Sequence, residues 1–353
     1  MELPDIKRIL VVNLGGIGDL LLSSPALEAL KLRFPQARID ILATERAAEL
    51  LQGRALFDTF YFYKKGPIHR LRLFFLLRKK RYDLAVNMRT MLSRVSALKM
   101  FFLFRLVAAK VSAGRDTQKR GWFFDVKIPE SWPGDKGEME YDIEMVSALG
   151  ATVPDRNINI SISQESYQAV SILLERSNIS AEDRLIGIHP GGEFSRRWPA
   201  ENFCRVIAGI SKSGEFKFVI TGGKQESGIA RQLAGVPGAA VLNLAGKLDL
   251  NELAALISRC SLYISNDTGP MHIAAVLKTP LVALFGPGSL RRFDPRNIFP
   301  QAVVLYQKAV CAPCNKMTCS TMRCLKVIQP QAVLQAALLL LAPGILPGKT
   351  RES

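Results

Sequence analysis

The sequence predicts an α/β protein built from two doubly wound parallel sheets. Three observations carry that expectation. Short continuous apolar runs, Arg8 to Leu14 first among them, have the character of strands covered on both faces. These runs alternate with helical stretches at βαβ spacing. After a looser stretch at Gly150-Ala-Thr-Val-Pro154 the series begins again at Leu185 to His189. Residues 1–158 and 159–353 are therefore expected to form two similar domains facing across a cleft. A chain of 353 residues can supply a core to each.

In the first half, the opening strand passes through Gly15-Gly-Ile-Gly-Asp19 into a helix from Leu20 to Phe34. Strands are expected at Arg38 to Ala43, Thr59 to Tyr63 and Leu84 to Asn87, with helices at Glu45 to Gln52 and His69 to Arg81. The glycines of Gly15-Gly16-x-Gly18 allow the backbone close approach, but they lack the spacing of a dinucleotide fingerprint. Asp19 stands at the mouth of the sheet, where a carboxylate can cap the helix or do chemistry.

The second half places polar residues at almost every strand end. His189-Pro-Gly191-Gly192 and Ser195-Arg196-Arg197-Trp198 follow its first strand, and Thr221-Gly222-Gly223-Lys-Gln-Glu226 follows Lys217 to Thr221. Leu244-Ala-Gly246-Lys247 follows Ala240 to Leu242. The stretch Ile264-Ser-Asn-Asp267-Thr268-Gly269-Pro-Met-His272 reads as a strand, a turn and a helix opening at Pro270, capped by Asp267 or Thr268. Such a helix start offers free N–H groups to a phosphate or sugar diphosphate. Four glycine-rich, charged turns in one topological position suggest a nucleotide-binding rim.

Hydrophobic content of 48% and charged content of 22% are those of a folded globular chain, which excludes disorder. A net charge of +16 favours an anionic partner, and without a nucleic-acid motif an anionic lipid headgroup or a phosphorylated substrate is expected rather than DNA or RNA. Met1-Glu-Leu-Pro-Asp has no basic n-region, and the apolar runs Met100 to Ala109 and Ala332 to Leu346 are interrupted. Six cysteines without an export signal fit a reducing cytoplasm. His69 to Arg81 and Lys99 to Lys110 mix aromatics, leucines and cations, as in helices that rest on an anionic membrane surface or in core helices with a basic outer face. Cys311, Cys314, Cys319 and Cys324 suggest a structural zinc site or a redox-sensitive pair, with no catalytic role.

Taken in order, Gly16-Ile-Gly-Asp19 with Ser24-Pro-Ala-Leu27, His189-Pro-Gly-Gly192 with Arg196-Arg-Trp-Pro199, Leu244-Ala-Gly-Lys247 and Ser265-Asn-Asp-Thr-Gly-Pro-Met-His272 resemble glycosyltransferase family 9. These are the ADP-heptose:lipopolysaccharide heptosyltransferases and their relatives, and the resemblance spans about residues 8 to 328. It implies a GT-B fold of two Rossmann-like domains, with the acceptor bound by the N-terminal domain and the nucleotide sugar by the C-terminal one. It implies an inverting transfer that needs no catalytic metal or cofactor, with Asp19 as general base and Arg196 neutralising the departing diphosphate. Asp267, Thr268 and Gly269 match the diphosphate- and sugar-binding turn, and His272 lies one helical turn beyond it. Gly191 and Gly192 match a backbone phosphate cradle, and Glu226 falls near a ribose-binding acid.

The sequence departs from the family at Asn87-Met-Arg89-Thr90 and around Glu138 to Tyr141, both in the acceptor half. The expected partners are an ADP-heptose donor and an anionic lipopolysaccharide-core acceptor, met at the inner face of the cytoplasmic membrane. A family relative with another donor or acceptor, and a silent nucleotide-sugar-binding protein, are the alternatives. A dehydrogenase reading would need Asp40 as its ribose acid and has the least support.

Overall fold

The computed structural model describes residues 4–51, 56–64, 66–314 and 316–342. The far end of the helix expected at Glu45 to Gln52, and the apolar run beyond residue 342, lie outside them. The chain divides between Ser161 and Ile162 into two compact units.

The first unit runs β1 (Arg8–Asn13), α1 (Ile17–Arg33), β2 (Arg38–Ala43), α2 (Glu45–Ala48), β3 (Thr59–Phe62) and α3 (Pro67–Lys79). It continues through β4 (Leu84–Asn87), α4 (Arg94–Val107), β5 (Val111–Thr117), β6 (Val126–Glu130) and α5 (Glu138–Ser147). Its six parallel strands lie in the order β3-β2-β1-β4-β5-β6. The apolar runs of β1, β2 and β4 are buried on both faces because helices cover both sides. One core packs α1 and α5 against the sheet, and a second packs α3 and α4 against its other face.

The second unit opens with α6 (Gln164–Glu175), then β7 (Leu185–His189), α7 (Ala200–Ser211), β8 (Lys217–Ile220), α8 (Ser227–Ala234) and β9 (Ala240–Asn243). It goes on with α9 (Leu250–Arg259), β10 (Leu262–Asn266), α10 (Gly269–Val276), β11 (Leu281–Phe285) and α11 (Leu290–Phe293). β12 (Val303–Tyr306), α12 (Arg323–Lys326) and α13 (Pro330–Leu341) complete it. Its strand order, β12-β11-β10-β7-β8-β9, is the same Rossmann pattern. The strand order therefore reverses between β1 and β4 in one unit and between β7 and β10 in the other. A crevice beyond the strand ends at that reversal is where open α/β sheets take ligands.

Three elements of the first unit have no counterpart among the expected ones. β5, Val-Ser-Ala-Gly-Arg-Asp-Thr, has no apolar run, yet it is an inner strand because Arg115 finds its counter-charges inside the protein. β6 tolerates Pro129 because it is an edge strand. α5 begins at Glu138, where an acid favours the positive helix end.

Candidate active site

In the first unit, β1 delivers Asn13 to Gly16 to the reversal point and β4 delivers Asn87 to Thr90 beside it. Asp19 sits in the first turn of α1, with one carboxylate oxygen accepting the Gly16 amide at 2.8 Å. The other oxygen accepts the Arg89 guanidinium in a close ion pair. Gly15, the neighbour of the expected Gly16, is where a side chain is forbidden. A methyl group there would fall 2.5 Å from Asp19 Cβ and 2.7 Å from Arg89 Nη1. Gly18 is buried within the first turn of α1. Arg89, noted in the sequence only as a departure, is thus the direct partner of Asp19.

Beneath this pair lies a buried network. Asn13 donates to Ser23 Oγ at 2.9 Å, and Ser23 donates to the Asp142 carboxylate at 2.6 Å. The carbonyl of Asp19 lies 2.9 Å from the same hydroxyl. Arg115 lies at the centre, paired with Glu138 at 2.6 Å, with Glu130 at 3.1 Å and closely with Asp142. Thr90 donates to Glu130 at 2.9 Å. One fully buried guanidinium therefore braces both α1, which carries Asp19, and the loop that carries Arg89.

Burial pushes Asp142 up to about 6, the Glu138 charge adding to the rise and Arg115 opposing it. The folded chain then holds a proton that an unfolded aspartate, near 3.9, has already released. The stability from this proton is complete below about pH 4 and disappears as pH rises through about 6. Thermal unfolding of the parent chain and of Asp142→Asn is expected to shift in favour of the variant between pH 4.5 and pH 7. A constant difference would refute the raised carboxyl.

In the second unit, Arg196 ends a short 3-10 turn, Phe194–Arg196, and donates to the Asp267 carboxylate at 2.9 Å. Ser195 fixes that turn, its amide donating to the Met317 carbonyl at 3.1 Å and its hydroxyl to the Lys316 carbonyl. Asn266 holds the loop after β7, donating to the carbonyls of Pro190 at 2.9 Å and Gly191 at 3.0 Å. Its side-chain oxygen accepts the amide of the buried Trp198. Gly288 permits the Arg196–Asp267 contact, because a methyl there would stand 2.1 Å from the carboxylate. Gly192 has φ +119°, and a methyl there would stand 2.6 Å from Thr268.

The capping expected of Asp267 or Thr268 is corrected. Thr268 does occupy the position before α10, but its hydroxyl donates to the Asn266 carbonyl at 3.2 Å. Asp267 is drawn to Arg196, since a full positive charge outcompetes an amide. The helix opens at Gly269, one residue earlier than expected. His272 is buried one turn in, beside the Phe293 ring.

Glu226 accepts Arg197 at 2.7 Å and the Gly223 amide at 2.8 Å, while Arg197 also donates to the Gly192 carbonyl at 2.7 Å. Gly222 lies against Glu226, where a methyl would come within 2.9 Å of its Cβ. Arg196, Asp267, Thr268, Gly191, Gly192, Gly222, Gly223 and Glu226 are thus gathered around the carboxyl ends of β7, β8 and β10. Lys247 is exposed on the turn after β9, and that turn joins the group through the Gly246 amide, which donates to the Gly222 carbonyl at 2.8 Å.

Cys311, Cys314, Cys319 and Cys324 are free thiols. Among the described residues, no group of three or more His, Cys, Asp or Glu is arranged to hold a metal ion. Cys324 is buried in the core under the loop, whereas Cys311 is exposed. Asp40 is buried and accepts the Tyr82 hydroxyl at 2.7 Å, which removes the acid that a dehydrogenase reading required.

A family model described as glycosyltransferase family 9 (heptosyltransferase) matches residues 70–325. The chain belongs to glycosyltransferase family 9. The lipopolysaccharide heptosyltransferase 2 of Salmonella typhimurium is 30% identical over 309 residues, which cover 80% of this chain and 83% of that protein. A family 9 glycosyl transferase structure from Veillonella parvula has a TM-score of 0.77 and 25% identity, covering 97% of this chain and 98% of its own. The structure of E. coli ADP-heptose lipopolysaccharide heptosyltransferase II has a TM-score of 0.73 and 24% identity, covering 95% and 98%. The fold is GT-B, and this family 9 member is a glycosyltransferase.

Proposed function

We propose that this family 9 glycosyltransferase moves heptose from ADP-heptose to a lipopolysaccharide-core acceptor, with inversion at the anomeric carbon. The acceptor hydroxyl attacks that carbon as the bond to the ADP oxygen breaks. Its proton passes to Asp19, and ADP departs with the bonding electrons. An ionised carboxylate keeps a free lone pair on each oxygen after accepting one hydrogen bond there, so Asp19 can be held by Gly16 and Arg89 and still receive a proton.

The observation that carries this reading is the Arg196–Asp267 pair at the strand reversal of the second unit, directly before α10. Asp267 is almost wholly buried, and it fixes the guanidinium beside a helix start. Diphosphate charge developing there meets a preorganised cation and backbone N–H groups. The donor is assigned to the second unit and the acceptor to the first, where Asp19 lies. Heptose is named for the family model and for the Salmonella relative; ADP-heptose is named for the E. coli protein. Because that acceptor is anchored in lipid, the reaction is placed at the inner face of the cytoplasmic membrane.

The test is ADP release from ADP-heptose in the presence of a heptose-primed core oligosaccharide, with product mass as the second readout. A product heavier by one heptosyl group is expected. A product formed only from ADP-glucose or a uridine diphosphate sugar would replace the donor. Donor binding without any transfer would favour the silent binding protein.

A further inference from the structure

Resting on the reading of the acceptor as a lipid-linked core, we propose that the outer face of α3 and α4 docks on an anionic phospholipid bilayer. Large apolar side chains are concentrated on this face. Of the eighteen that are exposed among the described residues, ten fall between residues 68 and 122. On α3 the exposed residues are Ile68, Leu71, Phe75 and Leu76, the spacing of one helical stripe. On α4 they are Val95, Leu98, Phe102 and Leu106, again one stripe. The two helices pack side by side, and Arg78 Nη1 donates to the Leu106 carbonyl at 3.3 Å. Trp122, 60% exposed, extends the surface by stacking on Phe101 with ring centroids 4.9 Å apart.

The charge of this face selects the partner. Residues 67–81 contain six lysines and arginines and residues 92–110 contain four, and neither segment has an aspartate or glutamate. Arg72 and Lys79 on α3, and Lys99 and Arg105 on α4, are exposed among the apolar residues of the stripes. At the carboxyl end of α3, a pocket of about 520 Å³ is lined by Lys7, Arg8, Lys79, Lys80, Arg81 and Asp83. Lys79 belongs to both the stripe and the pocket.

Apolar side chains between long cations match the boundary between acyl chains and anionic headgroups, where lysine and arginine stems lie on the apolar surface with their charges outward. Each such cation is attracted to the negative surface potential, and tryptophan suits that depth. A second protein would have to supply an apolar face ringed by acids, whereas a bilayer with anionic lipid supplies both chemistries everywhere. Among the described residues no helix is long and apolar enough to cross a membrane, so the contact is superficial. α4 starts five residues beyond Arg89, so a docked face holds the Asp19 site close to the surface on which a lipid-linked acceptor lies.

The experiment is co-sedimentation of the full chain with vesicles of phosphatidylglycerol and phosphatidylcholine, against phosphatidylcholine alone. Binding only to the anionic vesicles, weakened at high salt, is expected. Phe75→Ser/Phe102→Ser and Lys79→Glu/Lys99→Glu should each weaken partition at least tenfold. Both should keep normal circular dichroism and normal transfer to a lipid-free oligosaccharide acceptor.

Three results would overturn the proposal: no sedimentation with anionic vesicles, equal sedimentation of parent and variants, or an oligomer in solution that these substitutions dissociate. The last would make a second copy the occupant. Transfer to the lipid-free acceptor is scored separately, so a failed donor assignment and a failed membrane assignment are distinguishable.

Discussion

Asp19→Asn is expected to lower kcat for transfer by about 10²- to 10⁴-fold, the usual contribution of a positioned general base. Asparagine keeps the size of the side chain, and its carbonyl oxygen can still accept the Gly16 amide that now lies 2.8 Å away. What it loses is the ability to take up the acceptor proton and the charge that faces Arg89. ADP-heptose affinity, measured by calorimetry, should change little, because the donor residues are assigned to the other unit. Arg89→Gln should give a smaller loss of kcat, since the carboxylate remains but one of its two holders is gone. An Asp19→Asn enzyme with undiminished kcat would remove Asp19 from the chemistry and return it to its helix-start role. Parallel loss of activity and donor binding would point instead to a folding defect.

Arg115→Met is expected to destabilise the first unit by about 3–5 kcal/mol, the range for breaking a buried ion pair by removing one partner. The residue is fully buried, and Glu130, Glu138 and Asp142 all converge on it. Methionine fills much of the volume but leaves three carboxylates facing each other in a dry interior. Arg115→Lys should fall between the two, because an ammonium supplies charge without a fork that reaches three acids. The denaturant midpoint of the first unit reads the effect directly. A midpoint unchanged in Arg115→Met would mean that the carboxylates protonate at little cost. The cluster would then have no bracing role for α1 and the Arg89 loop.

These two residues also show which parts of the structure were legible in the sequence. Strands such as β1, β2, β7, β10 and β11 announce themselves, since a strand buried on both faces must be apolar along its length. β5 was hidden because Arg115 interrupts that pattern, and its partners lie between 15 and 27 residues further on. A local reading cannot see a charge neutralised at that distance. The site shows the same division. Asp19, Arg196 and the Asp267 turn stand in short motifs at strand ends and were legible as candidates. Arg89 was not, because it is 70 residues from Asp19. Arg197 is illegible for the same reason, its partner Glu226 being 29 residues away. The doublet Arg196-Arg197 was a usable signal. Two adjacent cations leaving a strand end in an otherwise mixed sequence imply two separate counter-charges, and the structure supplies Asp267 and Glu226.

The shared strand order of the two units has an electrostatic consequence. At the reversal of the first sheet, the helix that follows the strand starts with its own acid, so Asp19 satisfies the positive end of α1 from within. At the reversal of the second sheet, the acid in the corresponding loop is pulled sideways by Arg196, and the start of α10 keeps its attraction for an incoming anion. One folding pattern thus carries an Asp–Arg pair at each reversal, with the acid capping its helix start in the first and leaving the helix start uncapped in the second. An anion approaching the second meets helix-start N–H groups that no side chain caps.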